Sequence, residues 1–171
     1  ISLTHRELVD FVPEKKHQTT ISAIVSEKYF DEGHKKRIDF IKFSEELDWH
    51  VFGSNKFTYK TYCGGLPYHK KDAGLFPYKY HLAVENNSVK NYVTEKLIDG
   101  ILSECLCFYW GCPNISDIID DRAYISLPLD DFNLSVQIIQ KTILTDEWSK
   151  RIAYIRQAKT RILNDLQFFP F

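Results

Sequence analysis

Apolar positions along the chain switch between the period of a strand and that of a helix. Thr20-Ile21-Ser22-Ala23-Ile24-Val25 is a short β-branched apolar run closed by Ser26, and it fits a buried parallel strand. Residues 35–47 set Ile38, Ile41 and Phe43 among charges, the spacing of an amphipathic helix. A second strand is expected over residues 49–52, ended by Gly53, and a third over 78–84. A helix is expected from about 94 to 104, with Leu97, Ile98, Ile101 and Leu102 on its inner face. A fourth strand is expected over 105–110, before Gly111 and Pro113, and a fifth around 123–127.

The connections are polar. Residues 54–70, rich in Gly, Tyr and Lys, read as a loop, and 71–76 as a short helix stopped by Pro77. Residues 85–91 read as a turn and 114–119 as a short helix. Asp131 is placed to cap a helix over 133–143, and a second long helix runs from 146 to about 166. The stretch before Lys16 reads as a linker or a lead-in helix. Strands alternating with helices predict an α/β domain, a Rossmann-like parallel sheet flanked by helices. Ligands of such sheets bind at the carboxyl ends of the strands near a switch in strand order, which points to the loops after residues 25, 84 and 110. The expected organisation is a lead-in over 1–18, a Rossmann-like domain over 19–145, and a C-terminal helix and tail of the same domain over 146–171.

A chain of 171 residues fits one domain with one sizeable core. Its 22 Lys and Arg nearly cancel its 23 Asp and Glu, which argues against a general nucleic-acid binder. No apolar run approaches the ~20 residues that span a bilayer, and no signal-peptide pattern opens the chain. The first residue is Ile, as expected of a piece cut from a longer protein. Cys63, Cys105, Cys107 and Cys112 make no CxxC pair and read as buried reduced thiols. Asp120-Asp121 and Asp130-Asp131 are adjacent pairs rather than an Asp-x-Asp motif, and they read as turn or helix starts.

The segment richest in chemistry is Asn91-Tyr92-Val93-Thr94-Glu95-Lys96, after the third strand. A helix starting near Thr94 offers free N–H groups and the positive end of its dipole to a phosphate. Lys96 adds a full charge, Glu95 a carboxylate for ribose hydroxyls, and Tyr92 a ring and a hydroxyl. Thr-Glu-Lys is also an ordinary helix start, and the chain has no Gly-rich phosphate loop of either GxGxxG or GxxxxGK[ST] form.

Tyr80-His81-Leu82-Ala83-Val84-Glu85-Asn86 followed by Tyr92-Val93-Thr94-Glu95-Lys96-Leu97 resembles the signature of the α-1,3-fucosyltransferases, glycosyltransferase family 10. Phe108-Tyr109-Trp110-Gly111-Cys112-Pro113 is similar to that family's strand ending in a Trp-Gly-Ser-Pro-like turn. Upstream, Ile24-Val25-Ser26, Arg37 and Val51-Phe52-Gly53 look like its Ser-Asn, Arg and Phe-Gly pattern. The resemblance covers residues 19–127. It implies the C-terminal, donor half of a GT-B glycosyltransferase, binding GDP-fucose or a related GDP-sugar without a metal. Arg37 and Lys96 would hold the pyrophosphate, Tyr92 and Glu95 would contact the ribose and sugar, and Asn86 and Ser26 would shape the pocket. Glu27 stands where the family often has Asn, and its carboxylate would either repel phosphate or face solvent.

The resemblance further implies inverting transfer to a glycan acceptor, with the general base and acceptor platform in an N-terminal domain. No catalytic residue is therefore assigned to this chain, which is expected to bind nucleotide but transfer sugar poorly. A non-catalytic nucleotide-sugar-binding module is the alternative. Lys35 and Lys36 read as a solvated helix face, and Arg37 as a residue opening the helix after the first strand. His50, His69 and His81 read as structural or surface groups, His81 within reach of the pocket wall. Residues 63–67 read as a loop over the base or sugar, or as a plain connector. Trp148, Ile152, Ile155 and Ile162 form a core stripe, and Phe168, Phe169 and Phe171 are candidates for contact with another domain.

Overall fold

The computed structural model describes residues 1–67 and 70–166. Helix α1 (His5–Asp10) is followed by β1 (His17–Val25), α2 (Glu32–Phe43), β2 (Trp49–Gly53) and β3 (Tyr62–Gly64). A 3₁₀ turn (Asp72–Gly74) leads to β4 (Tyr78–Val84), α3 (Glu95–Leu102), β5 (Leu106–Trp110) and β6 (Tyr124–Ser126). Helices α4 (Phe132–Leu144) and α5 (Glu147–Arg161) close the chain, α5 running into a π-helical stretch (Ile162–Leu166).

Among the described residues six parallel strands form one sheet in the order β3-β2-β1-β4-β5-β6. The central strands are largely buried, which is why the sequence shows continuous apolar runs there rather than alternation. Every residue of β4 is buried. The core is dominated by large side chains under 2% exposed, among them Tyr80, Phe40, Phe108 and Tyr109. Ser22 on β1 is sealed inside it, and its Oγ lies 2.8 Å from Nδ1 of His81 on β4, so both polar groups are satisfied.

The chain winds outward from β1 through β2 to β3, then returns to β4 and winds the other way through β5 to β6. Crossovers between parallel strands are right-handed. Winding in opposite directions therefore sets α2 and α3 on opposite faces and leaves a crevice between β1 and β4 at their carboxyl ends.

Three details differ from the pattern read along the chain. Residues 54–70 are not all loop: Tyr62–Gly64 pairs with β2 as an edge strand. Its three residues carry one aromatic and a Gly, too little to signal a strand locally. Helix α2 begins at Glu32, not at 35, so Arg37 sits in its second turn rather than opening it. The early start is fixed by Gly33, whose N–H donates to the Asn86 carbonyl at 2.8 Å. A Cβ at Gly33 would lie 1.7 Å from the Glu85 carbonyl oxygen, so only Gly lets the helix end approach the β4 loop this closely.

The lead-in forms a helix with a full capping box between Thr4 and Glu7 and buries Leu8 in the core. The stripe on α5 packs as expected, with Ile155 and Ile162 buried and Trp148 and Ile152 against them. His69, Phe168, Phe169 and Phe171 lie outside the described residues. Among the described residues no helix is long and apolar enough to cross a membrane.

Candidate functional site

A cleft of about 280 Å³ opens at the crevice between β1 and β4. Its floor is Ile24 and Val25 at the end of β1, with Leu75 and His81. One wall comes from α2, through His34 and Arg37, and the other from α3, through Glu95, Lys96 and Asp99. Ser26, Lys28, Lys71 and Asn86 complete it. Five of the six residues singled out from the sequence, Ser26, Arg37, Asn86, Glu95 and Lys96, are thus brought together from the loop after β1, α2, the loop after β4 and α3. The sixth, Tyr92, is half-buried close to Glu85, Glu95 and Asp31, outside the lining.

Thr94 caps α3, its Oγ1 accepting from the Lys96 N–H at 3.4 Å. The cap is itself held by Glu85, which is fully buried and accepts from the Thr94 N–H at 2.9 Å and from its hydroxyl at 2.5 Å. Glu85 also lies 3.7 Å from the Lys96 ammonium. The Glu-Asn and Thr-Glu-Lys parts of the motif are therefore one unit, in which a sealed carboxylate fixes where the lysine stands. Lys96 additionally reaches Glu95 at 3.4 Å. Burial pushes the Glu95 carboxyl up, but Lys96 and Lys71 outweigh it and hold Glu95 below the ordinary carboxylate range.

The turn after β5 does not line the cleft, although the fold rule pointed there. It braces the segment that does. Ser88 donates to the Gly111 carbonyl at 2.8 Å, and Asn114 takes the Asn91 N–H at 2.9 Å while donating to its side chain. Asn91 sits at φ 62, a left-handed conformation that Asn tolerates better than most residues.

Arg37 is 4% exposed. One of its nitrogens donates to the Val84 carbonyl at 3.0 Å, and its Nε has no partner. Burial works against its charge, with Glu85 and Glu95 acting to restore it. The Asn86 Oδ1 is also sealed without a partner. His81 is held at about 3 by burial and by Lys71, so it is a neutral imidazole at physiological pH. Among the described residues the lining carries four cations, Lys28, Arg37, Lys71 and Lys96, against two carboxylates, Glu95 and Asp99. With neutral histidines this is a surplus of two positive charges in a partly dry cleft, where an anion is attracted more strongly than in water.

The sequence did not single out His34, Lys71 or Asp99. His34 precedes Arg37 by one helical turn and Asp99 follows Glu95 by one, so helical spacing carried a signal for both. Lys71 reaches the cleft from a connection, its ammonium 2.8 Å from Asp99 and 3.8 Å from Glu95, and no local pattern announces it. Glu27 is exposed and outside the lining, which settles its two readings in favour of solvent. Lys36 is not a solvated residue: it bridges Glu32 at 3.4 Å, pairs with Asp130, and lies over the Trp110 ring. Cys63 is exposed, whereas Cys105, Cys107 and Cys112 are buried as expected. Asp120 and Asp131 cap turns and helices, accepting from Arg122 and Leu134 N–H groups. Among the described residues no three His, Cys, Asp or Glu side chains are grouped to hold a metal.

A family model, glycosyltransferase family 10 (fucosyltransferase) C-term, matches residues 13–156. The alpha-(1,3)-fucosyltransferase FucT of Helicobacter pylori is 33% identical over 57 residues, 33% of this chain and 12% of the relative. An alpha-(1,4)-fucosyltransferase of Arabidopsis thaliana is 40% identical over 48 residues, 28% of this chain and 12% of the relative. A crystal structure of an alpha1,3-fucosyltransferase with GDP-fucose superposes with a TM-score of 0.64 at 20% identity, over 80% of this chain and 38% of that one. These matches span a small part of each relative. The structural likeness establishes the fold, a parallel sheet flanked by helices as in GT-B glycosyltransferases.

Proposed function

The chain belongs to glycosyltransferase family 10, and from that premise we propose that it is the donor half of an inverting α-1,3-fucosyltransferase, with GDP-fucose held in the cleft between β1 and β4. The observation that carries this reading is the meeting of Arg37 and Lys96, on opposite walls, at a cleft with surplus positive charge. Arg37 and Lys96 hold the diphosphate, Glu95 and Tyr92 meet the ribose and sugar, and Asn86 and Ser26 shape the pocket. Two unpartnered polar atoms, Arg37 Nε and Asn86 Oδ1, are completed by the ligand.

Transfer passes through an oxocarbenium-like state while negative charge gathers on the departing diphosphate. Fixed cations and the N-terminus of α3 stabilise that charge more in the transition state than in the ground state, which is what lowers the barrier. Because these side chains supply the countercharge, the reading takes no metal at the donor site. The acceptor hydroxyl must lose a proton to a base. Glu95 and Asp99 are engaged by lysines, and Glu85 is sealed under Thr94. We assign the base, and the acceptor platform, to a part of the enzyme other than these residues. The 171 residues alone then bind donor but turn it over slowly.

Thermal unfolding with GDP-fucose, GDP, UDP and ADP tests the reading. Ligand at a hundredfold its Kd stabilises a protein by about 2.7 kcal/mol. The guanine ligands raise Tm, and the rise persists in EDTA. Equal response to all four nucleotides, or to none, contradicts it.

A further inference from the structure

His34 stands one turn from Arg37 on the α2 wall of the cleft and is 3% exposed. Its Nδ1 has no hydrogen-bond partner, and the nearest carboxylate oxygen, from Asp31, is 3.4 Å away without hydrogen-bond geometry. Six side-chain polar atoms among the described residues are sealed and unpartnered, and three of them, on His34, Arg37 and Asn86, belong to this cleft. Buried polar atoms are nearly always paired in folded proteins. A concentration of exceptions at one opening marks groups that await a ligand.

The groups facing the ring come from every side of the opening. Asp31 and Phe30 approach from the start of α2, Lys28 from the loop after β1, Arg37 from the next helical turn, and Lys96 from across the cleft. Burial and then Arg37 hold the imidazole below its ordinary value, with Asp31 pulling the other way. In the free protein at neutral pH the ring is therefore uncharged. A diphosphate bound between Arg37 and Lys96 would neutralise cations that repel a ring proton, and an opposite charge within ~4–6 Å favours ionisation.

We propose that His34 is a further ligand of the bound diphosphate, taking one proton from solvent as the anion enters and donating a hydrogen bond to it. The proposal rests on the donor-site reading above and adds to it a binding step coupled to a proton. Its sign follows from linkage. The ring's pKa is raised by the ligand, so affinity is greatest below the pKa of the free protein. It falls as pH rises through the window up to the pKa of the complex, by at most about tenfold per pH unit.

Calorimetry with GDP-fucose, in buffers of different ionisation enthalpy at one neutral pH, counts the proton directly. GDP-fucose is the probe because its diphosphate, esterified at both ends, does not titrate near neutrality. Uptake of up to one proton is expected in the wild type, with none in His34→Gln and severalfold weaker binding. The ring ¹⁵N shifts of His34 in the wild-type protein give a second reading that needs no variant: both nitrogens move to imidazolium values on saturation. Firm binding with no proton uptake and an unmoved ring overturns the proposal and leaves the donor site standing. Absence of binding overturns the donor-site reading and this proposal with it.

Discussion

Lys96 is where the local sequence and the tertiary structure carry the same message. It follows the cap of α3 by two residues, and Glu85, Thr94 and Glu95 fix its ammonium from three directions. Charge-assisted hydrogen bonds contribute roughly 1.5–3 kcal/mol, about 10–100-fold in affinity. Lys96→Ala is expected to weaken GDP-fucose by that range while leaving the fold intact, as titration calorimetry and circular dichroism will show. Arg37 is legible mainly through the family motif, with its place on the helix after the first strand as the second signal, because a lone Arg in a charged helix has no distinctive spacing. Its depth under Val84 and Tyr59 comes from the packing of α2. Gly33 is more exacting still. Gly33→Ala would drive a methyl into the backbone of Glu85, and overpacking of this kind typically costs about 1–3 kcal/mol. Urea unfolding is expected to show a loss at or above the top of that range, since a backbone oxygen cannot rotate away.

At the scale of elements, what the residues announce depends on whether local or distant partners stabilise them. Strands β1, β2, β4 and β5 have apolar runs of their own and were placed to within a few residues. β3 has none and exists because Val51 and Phe52 of β2 offer it a ladder. The lead-in helix carried a Thr-x-x-Glu signature that marks a capping box, so its helical option was readable. What α5 does was not. Lys159, 6% exposed, reaches the Phe11 carbonyl and Glu104 at 3.1 Å, while Arg156 holds the other oxygen of Glu104 at 3.0 Å. Glu104 itself sits at φ 56 in the turn between α3 and β5. This buried cluster clasps the last helix to the lead-in and to the turn below the cleft. Breaking a buried pair from one side costs about 3–5 kcal/mol. Lys159→Met is expected to lower stability by about 3 kcal/mol in urea unfolding, the low end because Arg156 remains on Glu104.

For the whole molecule, the alternation of strands and helices was enough to predict a parallel α/β sheet, but not its order. The reversal between β1 and β4 is a property of the assembled sheet, and it is what brings the β1–α2 and β4–α3 connections to one cleft. Residues 26, 37 and 96 share no local pattern, and only the crossovers bring them within reach of one ligand. Lys71 stayed hidden for the same reason, whereas His34 lies one helical turn from Arg37. The central claim is that this cleft takes the diphosphate of GDP-fucose. Amide ¹H–¹⁵N NMR of the chain with GDP-fucose added in EDTA tests it most directly. The account predicts shifts concentrated at Ser26, His34, Arg37, Asn86, Glu95 and Lys96, which in Lys96→Ala need about 10–100-fold more ligand to appear. Spectra that do not change, or shifts confined to the hollow outside α2 near Phe43 and Leu129, would contradict it.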